Sequence, residues 1–167
     1  DEKKLIEKEI VSGVSYSKNE SKITISGIPD KPGISAKIFG LLASKNINVD
    51  MIVQNISQDG ISANITFTVP NSEISYAKKI LQNDLNLIGY HSIKTDEKVS
   101  KISVIGMGMM SQSGVAQKMF ETLADNSINI LAISTSEIKI SVLIDEKFTN
   151  IAVQSLHNAY NLEYKDE

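Results

Sequence analysis

The feature that most constrains the fold is an internal duplication of the sequence. When the sequence is shifted by 81 positions, residues 33–54 align with residues 114–135 without a gap, and eight pairs are identical. They include a turn glycine and the apolar positions of a predicted helix: Gly33/Gly114, Lys37/Lys118, Phe39/Phe120, Leu42/Leu123, Ala43/Ala124, Ile47/Ile128, Asn48/Asn129 and Ile52/Ile133. Two related units of roughly 80 residues are too few for a solenoid array and suit two small domains.

The composition is that of an ordinary globular protein. With 167 residues, 41% hydrophobic and 22% charged, the chain has enough mass for one or two small cores. No apolar run approaches the roughly 20 residues that span a bilayer, and the first ten residues contain no apolar signal region. We therefore expect a cytoplasmic protein. The absence of cysteine excludes disulfide frameworks, thiol nucleophiles and thiolate metal ligands.

Arginine is absent, so all 17 basic residues are lysine. A carboxylate or phosphate bound by this chain must be held by backbone N–H groups, hydroxyls, amides or lysine ammonium groups. The net charge of −3 and the scattered lysines argue against nucleic-acid binding.

Apolar spacing in the first unit predicts the order β-α-β-β-α-β. Ile23 and Ile25 alternate with polar residues, as in a half-buried strand. The strand over 61–69 has the cleanest alternation, with Ile61 beginning its buried phase. The other predicted elements are a helix from 34 to about 45, a strand over 47–53, a helix over 74–81 with its N-cap offered by 70–72, and a weaker strand over 90–96. This order is that of a ferredoxin-like plait, an α+β fold with both helices on one face of an antiparallel sheet.

The second unit repeats this order but ends too early. Its predicted elements are strands over 102–105, 128–134 and 138–144, and helices over about 115–125 and 148–160. The remaining residues 161–167 are too polar for a full fourth strand, whereas Ile10 to Tyr16 form an unassigned strand before the first unit. Because an open sheet edge is a liability, we expect this N-terminal strand to complete the second sheet. The predicted domains are 18–98 and 99–164, the latter completed by strand 10–17.

Motifs for catalysis and for phosphate binding are not found in the sequence. The segment GMGMMSQSG (106–114) has Ser111 where a dinucleotide loop needs its third glycine, and it lacks the Gly-Lys-Ser/Thr of a P-loop. His91 and His157 lack metal-ligand spacing, and no Gly-x-Ser-x-Gly elbow occurs. Acylphosphatase chemistry would need an arginine. An RNA-binding plait would need exposed sheet aromatics, whereas Phe67 lies on a buried phase. We expect no metal and no catalytic residue.

Two glycine-containing loops before helices are the remaining candidate sites. A helix N-terminus presents unpaired N–H groups and a partial positive charge, so it can hold a carboxylate without arginine. Asp30 beside such a cradle could bind an amino group, and Gln54 ends the following strand on the same polar phase as Asn48 and Asp50. This arrangement would suit a free amino acid. The alternative is that Pro32-Gly33 is only a strand-to-helix turn capped by Asp30.

Three segments of the sequence resemble the regulatory portion of bacterial aspartate kinases, which is built of two ACT modules. They are Asp30-Lys31-Pro32-Gly33, NINVDMIVQN (46–55) and NILAISTSEIKISVLID (129–145). The resemblance extends from about Ile10 to Tyr160. It implies two ferredoxin-like ACT modules and feedback control of aspartate phosphorylation by lysine and/or threonine, in the pathway to lysine, threonine and methionine.

The resemblance also implies two effector sites between paired ACT modules, often across two chains of a homodimer. The first would comprise Asp30, Lys31, Pro32, Gly33, Ile34, Ser35 and Gln54, closed by Asn129 and Ile130 of a facing second module. The second would comprise Met109, Met110, Ser111, Gly114, Val115, Ala116, Ser136 and Glu137, closed by Asn48 and Val49. For Ser136-Glu137 the alternative is a turn with an exposed acid.

The catalytic domain of that family is not recognised in this sequence. An amino-terminal Lys-Phe-Gly-Gly-type motif is missing, and there is no room for an ATP-binding core. We therefore expect either a separate regulatory subunit or a truncated piece that is not an enzyme on its own. ATP and Mg²⁺ would belong to the catalytic domain or subunit, which is an expected partner. Two alternatives remain: a free-standing amino-acid sensor that acts on another enzyme or regulator, and a purely structural dimerisation module.

Overall fold

Strands and helices alternate along the part of the chain that the structure, a computed structural model, describes: residues 11–106 and 112–162. The strands are β1 (Val11–Pro29), β2 (Asp50–Ile56), β3 (Ser62–Pro70), β4 (Ser92–Gly106), β5 (Ala132–Thr135) and β6 (Lys139–Asp145). The helices are α1 (Ile34–Ser44), α2 (Ile74–Asp84), α3 (Gln112–Asp125) and α4 (Thr149–Ala159). Short 3-10 turns occupy Asn71–Glu73, Leu85–Leu87 and Glu146–Phe148.

The described residues divide into two compact units. The first unit is residues 19–97, and the second unit combines residues 11–18 with the described residues from 98 onward. Strands of the first unit follow the order β2-β3-β1-β4, and those of the second follow β1-β4-β6-β5. In each unit the order is that of a ferredoxin-like plait. The predicted α+β fold class is confirmed.

The N-terminal strand completes the sheet of the second unit, as predicted. Within that unit the hydroxyl of Ser12 donates a hydrogen bond to the carbonyl oxygen of Ile105 at 3.2 Å. The hydroxyl of Ser100 donates to the carbonyl oxygen of Ser17 at 3.3 Å. The start of β1 therefore occupies the place that the fourth strand takes in the first unit.

Two pairs of strands that were predicted to be separate are continuous. The predicted strands at 10–16 and 23–26 both belong to the 19-residue β1, and those at 90–96 and 102–105 belong to the 15-residue β4. The intervening residues are polar apart from Val99, and they include no proline and no glycine. Polarity alone does not end a strand, because strands are interrupted mainly by proline and glycine.

Alternating side chains build the core of the first unit. Ile23 and Ile25 of β1 lie opposite Phe67 and Ile65 of β3, and all four are buried. The Phe39 ring of α1 packs edge-on against Phe67, with ring centroids 5.3 Å apart. Ile61 departs from the predicted buried phase. It is 73% exposed because β3 begins one residue later, and the Ile61 N–H donates to Oδ1 of Asp59 in the preceding turn.

The second unit has its own core between its sheet and its two helices. Val104, Val142 and Met119 are buried there, and Val11 of β1 packs into the same cluster. The hydroxyl of Tyr160, just after α4, donates a 2.6 Å hydrogen bond to the carbonyl oxygen of Val115 in α3. The C-terminal end of α4 is thereby tied to the first turn of α3.

The predicted side-chain phase of β2 is wrong beyond Asp50. Met51 has a φ of 44°, and the pairing of β2 with β3 shifts between Asp50 and Val53. Because this irregularity changes the alternation, Gln54 lies opposite the core residue Ile65 and not on the phase of Asp50. Gln54 therefore projects from the face of the sheet that carries the apolar core.

The predicted N-cap of one helix and the predicted start of another differ from the structure. No side chain caps α2, which follows the Asn71–Glu73 turn, and Oδ1 of Asn71 instead accepts a hydrogen bond from the Ser21 hydroxyl at 2.5 Å. Helix α3 begins at Gln112 and not near Val115, so Gly114 is its third residue. Glycine is tolerated in a first turn, and it does not mark the end of the preceding loop here.

Candidate functional site

The loop between β1 and α1 is held by backbone hydrogen bonds at both ends. The Asp30 N–H donates to the carbonyl oxygen of Ile61 at 3.1 Å, and the Lys31 N–H donates to that of Pro29 at 3.0 Å. At the other end the Lys37 N–H donates to the carbonyl oxygen of Gly33 at 3.1 Å. We call residues 30–35, which the sequence predicts to bind an effector, the effector loop. Its residues 30–33 are exposed, whereas Ile34 and Ser35 are half-buried.

Helix α1 begins with a free N-terminus. Gly33 is the N-cap residue in the left-handed region, at φ 91° and ψ −12°, and no side chain caps the helix. Such a φ favours glycine, although a Cβ there would meet nothing within 4 Å. Among the described residues, no acceptor meets the N–H of Ser35 or Ala36. These two groups can therefore bind an anion.

Asp30 and Gln54 supply polar side chains on either side of β3. Both are exposed, and neither makes a side-chain hydrogen bond with any part of the chain that the structure describes. Asp30 therefore does not cap α1, which was the alternative reading of this loop. A carboxylate, an amide and free N–H groups within one unit form a set that can bind an ammonium group and a carboxylate at once.

The corresponding region of the second unit is arranged differently. Met109, Met110 and Ser111 lie outside the described residues. Gly114 lies inside α3, Val115 is buried and tied to Tyr160, and Ala116 is half-buried. The helix therefore begins earlier in the repeat than α1 does. The cradle found at Gly33 is not reproduced at Gly114.

The other predicted site residues lie at strand ends and in turns. Asn48 and Asn129 are exposed, whereas Val49 and Ile130 are half-buried against the cores of their own units. Ser136 and Glu137 are exposed in the hairpin turn between β5 and β6, where the Ser136 N–H donates to the carbonyl oxygen of Lys139 at 2.8 Å. The pair forms a turn with an exposed acid, and its role in effector binding stays a prediction.

Thr135 was missed by the sequence reasoning. It lies opposite Ile140 of β6, as Gln54 lies opposite Ile65 of β3, so the two residues hold equivalent positions in their sheets. The signal was present in the sequence, because the shift of 81 positions aligns Gln54 with Thr135. A short hydroxyl in the second unit thus replaces the longer amide of the first.

Two further properties concern the described residues as a whole. Among them, no group of three or more histidine, aspartate and glutamate side chains is placed to hold a metal ion. None of their helices is long and apolar enough to cross a membrane.

A comparison with family models defines the class of protein. The ACT domain model matches residues 17–85 and again residues 102–160, which together are most of the chain. The chain therefore belongs to the ACT domain family and contains two copies of the domain. The two matched segments correspond to the two repeats of the sequence.

Within that family the chain corresponds to the regulatory portion of an aspartate kinase. It is 48% identical over 163 residues to the aspartate kinase of Pseudomonas fluorescens, covering 98% of this chain but 39% of that protein. The structure superposes on a chain from the crystal structure of aspartokinase alpha and beta subunits with a TM-score of 0.85 and 47% sequence identity. This match covers 91% of this chain and 99% of that chain. The structure also superposes on the ligand-free regulatory subunit of aspartate kinase from Thermus thermophilus with a TM-score of 0.84 and 35% sequence identity. This match covers 90% of this chain and 98% of that chain.

Proposed function

We propose that this chain senses lysine and/or threonine for an aspartate kinase and that effector binding inhibits phosphorylation of aspartate. The observation that carries the proposal is the uncapped start of α1, where Gly33 leaves the N–H groups of Ser35 and Ala36 free beside Asp30. ATP and Mg²⁺ would be bound by the catalytic part of the kinase. The expected place of action is the cytoplasm.

The effector loop can hold the common part of an amino acid without arginine. The free N–H groups of Ser35 and Ala36 would bind the α-carboxylate, and the Asp30 carboxylate would bind the α-amino group. Gln54 would contact the ligand through its amide, either at the ammonium group or at a polar side chain. Water can reach these polar groups unless the site is closed. A second surface must therefore face the loop.

We propose that the facing surface comes from a second copy of the chain. β2 and β5 end the strand orders of their units, and Ile52, Ile56 and Ile133 on these edges are each more than 40% exposed. An uncovered edge strand with apolar side chains is a site for association. Asn129 and Ile130 of the copy would close the first site.

A shallow cleft on α3 provides further apolar surface. It has a volume of about 620 Å³ and includes Ala116, Phe120 and Ala124 in its lining. The equivalent residues of α1 are Ser35, Phe39 and Ala43. Each unit therefore offers small side chains around one phenylalanine, a surface that permits close helix approach between copies.

Inhibition requires that effector binding favour one arrangement of the kinase over another. A coupling free energy of about 1 to 3 kcal/mol would change effector affinity between the two arrangements by about 5- to 150-fold. E. coli aspartokinase III, which is 21% identical and shares the fold with a TM-score of 0.71, has been crystallised with lysine and aspartate in its T-state. Lysine is for this reason the first effector to test.

The test is calorimetric titration of the chain with lysine and with threonine, with methionine and aspartate as controls. Sedimentation in the same buffers measures the mass. Saturable binding of lysine or threonine, together with formation or tightening of a dimer, is the expected result. A folded protein that binds none of the four would contradict the sensor function and favour a purely structural dimerisation module.

A further inference from the structure

A β-bulge in β1 lies directly before the effector loop. Between Ile25 and Ile28, β1 advances three residues while β3 advances two, from Ile65 to Ala63. Ser26 and Gly27 therefore both oppose Asn64. Gly27, the second of these two residues, has a φ of 69°, in the left-handed region that glycine adopts readily.

We propose that Asn64 is a positioning residue for amino-acid binding, because it holds this bulge and thereby sets the effector loop. The inference rests on the proposed function of the loop. Oδ1 of Asn64 accepts a hydrogen bond from the Gly27 N–H at 3.1 Å. The bulge takes the Gly27 N–H out of the regular main-chain hydrogen bonding with β3, and the Asn64 side chain accepts its hydrogen bond instead.

The opposite side of the bulge is held by His91, the residue directly before β4. The His91 N–H donates to the carbonyl oxygen of Ser26 at 2.8 Å. A Cβ on Gly27 would lie 2.6 Å from the Cβ of His91, so no other residue fits without a backbone shift. The bulge is therefore fixed from both sides, by a main-chain bond on one side and by the Asn64 amide on the other.

The bulge determines the direction in which the chain enters the loop. One extra residue in a strand reverses the side-chain alternation beyond it. Ile28 is consequently buried in the same core as Ile25, although the two are three residues apart. Asp30, two residues later, then meets the carbonyl oxygen of Ile61 with its N–H. Loss of the bulge would turn Ile28 to the other face and displace Asp30.

The second unit has no such clamp among its described residues. Ile65 and Ile140 are equivalent, because they lie opposite Gln54 and Thr135. Lys139, directly before Ile140, therefore takes the position of Asn64, and its side chain has no hydrogen-bond acceptor. Gly106, which corresponds to Gly27 because Val104 lies opposite Ile140 as Ile25 lies opposite Ile65, donates its N–H to the main-chain carbonyl oxygen of Ile138 at 2.8 Å and not to a side chain. The amide clamp thus occurs in the unit that has the free helix N-terminus.

The experiment compares three variants of the full chain. Asn64→Ala removes the acceptor, Asn64→Asp keeps an oxygen in its place, and Asn55→Ala removes an exposed amide directly opposite on β2. Lysine and threonine are titrated into each by calorimetry, and the amide resonances of Gly27, Asp30 and Gly33 are recorded without ligand. We expect Asn64→Ala to weaken binding by about two- to tenfold, as befits one exposed hydrogen bond. Asn64→Asp should restore affinity to within about twofold, and Asn55→Ala should leave it unchanged.

The outcomes separate this inference from the proposed function. If the wild-type chain binds an effector and Asn64→Ala binds it equally well, or if Asn55→Ala weakens it as much, the positioning role is wrong and the sensor function stands. If the wild-type chain binds neither amino acid, the sensor function fails. Positioning of the loop is then decided by the Asp30 and Gly33 resonances, which must move in Asn64→Ala and not in Asn55→Ala.

Discussion

The two units share a duplicated sequence and a common fold, yet they differ where the first helix begins. In the first unit a left-handed Gly33 leaves the start of α1 uncapped and exposed. In the second unit Gly114 lies within α3, and the carbonyl group of Val115 is bonded to Tyr160. The duplication therefore preserves the apolar framework and not the cradle. The second predicted site includes Met109, Met110 and Ser111, which lie outside the described residues, and it stays a prediction.

The difference lies in a few residues outside the core. Asp30 aligns with Ser111, Pro32 with Ser113 and Gln54 with Thr135, whereas three apolar helix positions, Phe39, Leu42 and Ala43, are identical in the two units. Packing fixes the core residues because both units must bury the same face of a helix against a sheet. Exposed loop residues carry no such requirement and are free to take up binding.

The largest expected effect comes from deletion of residues 1–17. The second unit would lose its edge strand, including the buried Val11, while the first unit would keep all of its residues. We expect the second unit to lose about 3 kcal/mol or more of its free energy of unfolding, from lost burial of apolar side chains. Hydrogen exchange read separately on β6 and β3 measures this. Equal protection of both strands before and after the deletion would show that the N-terminal strand does not stabilise the second unit.

The next largest effect distinguishes the two candidate sites. Gln54→Ala should weaken effector binding by about 1 to 3 kcal/mol, or about 5- to 150-fold, because it removes a polar contact in a closed site. Thr135→Ala, at the equivalent position of the second unit, should leave binding unchanged. Calorimetry with lysine and with threonine measures both. If Thr135→Ala weakens binding and Gln54→Ala does not, the site lies in the second unit and its assignment to the first unit is wrong.

A smaller effect tests the anchor that is specific to the second unit. Tyr160→Phe removes the hydrogen bond to the carbonyl oxygen of Val115 and should lower the free energy of unfolding by about 1 to 2 kcal/mol. Thermal unfolding should then begin several degrees earlier, at about 2 to 4 °C per kcal/mol. Tyr76→Phe, at an exposed tyrosine of the first unit, is the matched control and should have no effect. Similar losses in both variants would mean that the hydrogen bond to Val115 is not the cause.

The smallest effect concerns the hairpin of the first unit. A hydrogen bond from the Ser57 hydroxyl, with a second from the Ile61 N–H, holds the pKa of Asp59 below its ordinary value. Because the folded-state pKa is the lower one, the stabilisation is present at neutral pH and is lost as the pH falls through that pKa. Ser57→Ala should raise the pKa of Asp59, as followed by NMR titration of its carboxyl carbon. Ser72→Ala, at an exposed serine of the same unit, should not move it; equal shifts in both would contradict the assigned cause.

The fold could be predicted from the sequence because apolar periodicity and the repeat point to the same architecture. The residues of the candidate site were harder to place. The phase of Gln54 depends on a positive φ at Met51, which has no sequence signal because methionine seldom adopts it. The bulge did leave a signal: Ile28 breaks the alternation of Ile23 and Ile25 directly after Gly27, and an isolated glycine in a strand indicates a bulge. The roles assigned to the site residues remain predictions.

The long first strand also has a consequence for synthesis on the ribosome. Residues 19–97 of the first unit are contiguous, so this unit can fold as soon as they have emerged. The second unit must wait until α4 is made, and until then residues 11–18 are held next to a folded neighbour with no sheet of their own to join. Among the described strands, their pairing with β4 has the greatest sequence separation, so it is expected to form late. A stalled or shortened nascent chain would therefore expose one uncovered strand beside an otherwise finished domain.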